Sequence, residues 1–110
     1  MIMTNSEDSL IKNKNIQIYV DGDLIHREDA KISVFDSGFL MGDGVWEGLR
    51  LCNGRWIFLD EHLDRLFEGA LAIDLDIGMD RAQLSEALEK TRNANGMNDQ
   101  AHARLMVTRG

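Results

Sequence analysis

The chain has 110 residues, 44% hydrophobic, 28% charged and 6% aromatic, with no proline. Its 12 basic against 19 acidic residues leave a net charge of −7, which gives no electrostatic footprint for nucleic acid or an anionic membrane surface. A single cysteine, Cys52, excludes an internal disulfide and a cysteine-based metal site, and the length suits one small domain.

Residues 1–15 are polar and unpatterned, which predicts a flexible lead ahead of a domain over 16–110. The lead is not a signal peptide, and no apolar run is long enough to cross a membrane, so the cytoplasm is expected. Residues 16–20 alternate at period two and meet Asp21-Gly22, a hairpin turn, with Leu24-Ile25 opening the return strand. The stretch 28–35 is mixed. Asp36-Ser37-Gly38 and Gly42-Asp43-Gly44 read as two breaks.

Residues 45–52 read as a strand, Asn53-Gly54 as a second hairpin turn, and residues 55–58 as the partner strand. Asp60 is placed to cap a helix running to about Ile73, with Leu63, Leu66, Phe67, Ala70, Leu71 and Ile73 at helical spacing. A second helix is predicted from Asp80 to about Ala94, with Gln83 completing a capping box and Asn95-Gly96 closing it. Residues 101–109 read as a last strand. Hairpins followed by helices and a strand predict an α+β fold, two helices packed on an antiparallel sheet. The chain stops straight after that apolar run, so a continuation is expected.

Strand parity sorts the candidate chemistry. Val45, Glu47, Leu49 and Leu51 share one face of their strand; Trp46, Gly48, Arg50 and Cys52 share the other. A mid-strand glycine sacrifices packing and suits a close approach by a ligand or backbone. With Trp46 and Arg50 beside it, Gly48 suggests a pocket wall with an aromatic plane and a cation for a carboxylate. A bulge glycine among surface residues is the plainer account, and spacing alone favours it. Arg65 could meet an anion such as phosphate with its guanidinium fork, or simply pair with Glu61 one turn earlier; pattern alone favours the pair. His62 has no metal-ligand partner at helical spacing and reads as a half-buried or solvated histidine. Arg104 falls on the polar-leaning face of the last strand with His102, Met106 and Thr108. Walker, Rossmann, zinc and nucleophile-elbow signatures are absent from the sequence.

Taken as strings, residues 39–50 (FLMGDGVWEGLR) and 58–66 (FLDEHLDRL) resemble class IV, pyridoxal-phosphate-dependent aminotransferases, a group with branched-chain, D-amino-acid and aminodeoxychorismate lyase branches. The likeness extends from Tyr19-Val20-Asp21-Gly22 through residues 29–34 to Val107-Thr108-Arg109-Gly110. It implies the small N-terminal domain of that fold type, pyridoxal 5′-phosphate as cofactor, an amino donor and a 2-oxo acid as substrates, and a homodimer. By the same resemblance Arg65 binds the cofactor phosphate, Trp46 and Gly48 shape the substrate pocket, and Arg50 or Arg104 steers a carboxylate. Met41 and Trp46 depart from tyrosines found in the branched-chain and D-amino-acid branches, which leaves substrate class open. The family's Schiff-base lysine lies further along the chain than Gly110. Lys12, Lys14, Lys31 and Lys90 do not match it, so no catalytic residue is assigned and these 110 residues are expected to be inactive alone. The lyase on the same fold and a non-catalytic, self-associating module are the two alternatives.

Overall fold

The protein is described here by a computed structural model covering residues 1–6 and 13–110. Six strands, β1 (Ile2–Ser6), β2 (Gln17–Val20), β3 (Asp23–His26), β4 (Gly44–Cys52), β5 (Arg55–Trp56) and β6 (Ala101–Thr108), form one sheet in the order β3-β2-β1-β6-β4-β5. Every neighbouring pair is antiparallel. Helices α1 (Ser37–Met41), α2 (Leu59–Ala72) and α3 (Arg81–Ala94) complete the α+β architecture expected from the sequence.

The flexible lead predicted over 1–15 does not hold for residues 2–6, which form β1 between β2 and β6. Ile2 pairs with Tyr19 on one side and Leu105 on the other, and Ile2 and Thr4 are each 1% exposed. Two adjacent apolar side chains, Ile2 and Met3, and a short polar stretch give no periodic signal, yet position in the sheet buries Ile2 and Thr4. The rest of the predicted lead up to residue 12 lies outside the described residues.

Helices α2 and α3 cover one face of the sheet. Leu63 and Leu66 of α2 and Leu84, Ala87 and Leu88 of α3 meet Ile2, Leu49, Ala103 and Leu105 in one core. Leu71 and Ile73, expected on this apolar stripe, are instead 81% and 38% exposed. Asp60 is not the cap of α2. Phe58 takes that place in a left-handed conformation (φ 54°), which also ends the β5 strand at Trp56, short of the expected residue 58. Asp60 and Glu61 lie in the first turn, where their charge complements the helix N-terminus. In α3 the capping box forms as expected: Asp80 accepts from the Gln83 backbone N–H, and the Gln83 side chain accepts from the Asp80 N–H.

The two breaks prove to be helix caps. Asp36 accepts from the Gly38 N–H at 2.8 Å to start α1, and Gly42 ends it in the left-handed region (φ 68°). A side chain on Gly38 would stand 2.2 Å from Thr108 Cγ2, so only glycine lets α1 lie against the end of β6. Thr108 Oγ1 donates to Asp36 Oδ2 at 2.9 Å, which ties cap to strand. Asn95 does more than close α3. Its side-chain amide accepts from the Gln17 N–H (2.6 Å) and lies 2.9 Å from Gln17 O, Thr4 Oγ1 and Thr91 O, stapling the helix end to β1 and β2.

Candidate functional site

β4 and β6 pair over eight residues, and their register decides which side chains meet: Trp46 opposite Met106, Gly48 opposite Arg104, Arg50 opposite His102. On the face turned away from the helices, Trp46, Gly48, Arg50 and Arg104 are all exposed. The Arg104 guanidinium carbon lies 4.4 Å from the centre of the Trp46 ring, a cation–π arrangement that leaves its N–H donors available. A Cβ added at Gly48 would meet nothing closer than the Trp46 ring edge, at 3.9 Å. The glycine therefore floors an open strip beside the indole. Among the described residues, nothing else comes within 4 Å of that added Cβ.

Arg65 stands elsewhere. It projects from α2 on the helix-covered side of β4, where its Nε donates to Glu47 Oε1 (2.5 Å) and its Nη2 to Glu47 Oε2 (2.6 Å). Glu61, the partner expected from helix spacing, is not the one it takes. His62 Nδ1 lies 2.9 Å from the same Oε2. Glu47 is 2% exposed, in the inward row with Leu49 and Leu51, so its charge is tolerated because two partners surround it. The hydrogen bond from Arg65, followed by that from His62, holds the Glu47 carboxyl below the usual glutamate range despite its burial. The Arg65 guanidinium is in turn pushed up by its bond to Glu47, and its side chain stays 71% exposed. A fixed, exposed guanidinium with Nη1 outside the Glu47 pair fits the phosphate of a cofactor.

The structure thus gathers Trp46, Gly48, Arg50 and Arg104 on one face and sets Arg65 behind the same strand. From the sequence Glu47 has no role, and His62 reads only as a half-buried or solvated histidine. The signal was present: parity puts a lone carboxylate in an apolar, inward row, and such a group requires a cation. Arg109, read as a strand end, anchors the end of β6 instead, with Nε donating to Asp43 Oδ2 (2.9 Å) and Nη1 and Nη2 to the carbonyls of Asp74 and Ile73 (2.9 and 2.6 Å).

A cavity of about 720 Å³ lies apart from both, between β1, β2, the 31–36 segment and the 76–79 turn, and none of the five candidate residues lines it. Among the described residues no His, Cys, Asp and Glu cluster is placed to hold a metal ion, and no helix is long and apolar enough to cross a membrane. Lys14, Lys31 and Lys90 are exposed, and none stands on β4 or β6.

Known proteins resemble this chain in sequence and in fold. The family model of amino-transferase class IV matches residues 44–110. Branched-chain-amino-acid aminotransferase-like protein 1 of Arabidopsis thaliana is 46% identical over 99 residues, 90% of this chain and 18% of that protein. D-alanine aminotransferase of Listeria monocytogenes is 41% identical over 95 residues, 86% of this chain and 32% of that protein. Among solved structures, a branched-chain aminotransferase from Thermoproteus uzoniensis with norvaline superposes with a TM-score of 0.69 at 26% identity, over 87% of this chain and 41% of that one. The 4-amino-4-deoxychorismate lyase of Pseudomonas aeruginosa gives 0.59 at 37% identity, over 74% and 28%. The chain spans between 18% and 33% of the length of curated relatives it matches. The chain belongs to the class IV aminotransferase family.

Proposed function

We propose that this chain is the N-terminal part of a pyridoxal-phosphate-dependent aminotransferase that moves an amino group between an amino acid, branched-chain or D-configured, and a 2-oxo acid. The observation that carries the reading is the shared face of β4 and β6, where an aromatic plane, an open glycine strip and two arginines stand together. Pyridoxal phosphate, when bound, supplies the electron sink for charge developing at the amino acid's Cα. The chain's own residues bind and orient. Arg65 anchors the phosphate with a charge-assisted fork. Trp46 offers an apolar plane that shields the substrate side chain from water, and Gly48 lets the substrate approach the backbone. Arg104, stacked on Trp46, and Arg50 draw the substrate carboxylate to that face.

A homodimer in the cytoplasm completes the proposal. Ile32, Val34, Phe35, Phe39, Leu40 and Met41 are between 53% and 81% exposed, and this many exposed large apolar side chains within residues 32–41 support a contact surface there. The lone cysteine and acidic composition suit a reducing compartment.

The test uses the protein that carries this chain as the cell makes it, isolated and its intact mass measured, with pyridoxal phosphate added. Glutamate formed from 2-oxoglutarate with a branched-chain or D-amino donor is the expected result. Pyruvate released from aminodeoxychorismate, with no transamination, would replace the proposal by the lyase reading. No change in the cofactor's visible absorbance on adding any amino donor would leave a non-catalytic, self-associating module.

A further inference from the structure

We propose that Glu47 is a positioning residue: its carboxylate, steadied by His62, grips one edge of Arg65 and leaves the other edge aimed for end-on capture of a phosphate monoester. The inference rests on the reading of Arg65 as the phosphate anchor. Both Glu47 oxygens are committed, Oε1 to Arg65 Nε at 2.5 Å and Oε2 to Arg65 Nη2 at 2.6 Å and His62 Nδ1 at 2.9 Å. An exposed arginine on a helix samples many rotamers. Here the side chain is 71% exposed, yet its grip comes from a strand residue that is 3% exposed and cannot swing. The bidentate contact consumes the Nε–Nη2 edge. Nη1 and the second Nη2 hydrogen remain as a pair of donors matched to two phosphate oxygens.

The burial of Glu47 argues in the same direction. An apolar side chain in this inward row would pack at least as well as a buried ion pair, so the carboxylate is poorly accounted for by stability alone. Its consequence for ligand binding is clear: holding a rotamer-rich side chain in place before binding is worth about three- to tenfold in dissociation constant. One effect opposes it. The same carboxylate repels the anion, by roughly threefold per phosphate charge at about 6 Å in water. Salt at about 1 M shortens the Debye length to about 3 Å, so that repulsion fades while the positioning stays.

The experiment compares pyridoxamine 5′-phosphate with pyridoxamine binding to the full chain in about 1 M KCl, following the Arg65 side-chain Nε–H by NMR. The wild-type chain is expected to prefer the phosphorylated form and to show a protected Nε–H. In Glu47→Gln the preference falls about three- to tenfold and the protection is lost. A Glu47 that served the fold alone would lower the unfolding midpoint and leave the preference unchanged; that result overturns the inference. A preference that survives Arg65→Ala, or is missing in the wild-type chain, overturns the anchor reading and this inference with it. If Glu47→Gln does not fold, Glu47→Asp keeps the charge but shortens the reach, and an undiminished preference there overturns the inference equally.

Discussion

Gly48→Ala separates a glycine kept for a ligand from one kept for the fold. The new methyl would meet only the Trp46 ring edge at 3.9 Å, an ordinary contact, and Gly48 does not have a positive φ. The substitution therefore removes unfolded-state freedom without straining the strand, and stability should rise by about 0.4–1 kcal/mol. For a domain of this size that is roughly 2–8 °C in melting temperature. Gly44 in the same strand supplies the contrast. A Cβ there would stand 2.6 Å from the Val107 carbonyl oxygen, a backbone atom that cannot step aside. Gly44→Ala should lower stability by about 1–3 kcal/mol through forced displacement of paired strands. Urea unfolding followed by circular dichroism reads both signs. The functional arm runs the other way: in the assembled enzyme Gly48→Ala should raise the KM for the amino acid, because the methyl rises from the floor of the strip beside Trp46. A Gly48→Ala chain destabilised like Gly44→Ala would refute the reasoning, since the glycine would then serve packing and not access.

Three further outcomes follow from the contacts. Glu47 has a folded pKa below its unfolded value, so its contribution is present above about pH 4.3 and is lost as pH falls through the lower folded value; the urea midpoint of the wild type should drop more steeply between about pH 5 and pH 3 than that of Glu47→Gln. Asn95→Ala removes the acceptor of the Gln17 N–H and a donor to Gln17 O, and should cost about 1–3 kcal/mol in chemical denaturation, with hydrogen exchange rising first in β2. A double-mutant cycle on Trp46→Leu and Arg104→Gln should return a coupling of about 0.5–1 kcal/mol, the range for an exposed cation–π pair; a coupling near zero would mean the two side chains do not hold one another.

The legible parts of the sequence were those with a local period. Alternation over 45–52 and over the last strand placed Trp46, Gly48, Arg50 and Arg104 on faces that the register of β4 with β6 then joined. The Asp80 capping box was readable because its two halves lie three residues apart. What escaped the sequence depended on contacts between distant segments. β1 gains its strand character from pairing with β6, about 100 residues away, and not from its own side chains. Arg65 met Glu47 rather than Glu61 because a carboxylate on the buried face of β4 has far more to lose unpaired than an exposed one on the helix. The caps of α1 were mistaken for breaks because Asp and Gly serve both purposes, and the outcome is decided by whether Thr108 lies alongside.

The division of the candidate residues between two faces of β4 constrains how any one ligand could use them. Trp46 and Gly48 project to one side, Glu47 with Arg65 to the other, and alternation makes a common pocket within the sheet impossible. They can be reached together only around an edge of the strand. One edge is closed by β6 from Gly44 to Leu51. The other carries β5 at Leu51 and Cys52 alone, so among the described residues the stretch from Gly44 to Leu49 has no partner strand. A phosphate on Arg65 and a carboxylate near Arg104 would then lie on either side of that open edge, with the reactive part of the ligand passing across it. Gly48 stands on the unpaired stretch, where a missing side chain clears the passage, which gives the glycine strip and the Glu47 grip on Arg65 a single geometric reason to occur on one strand.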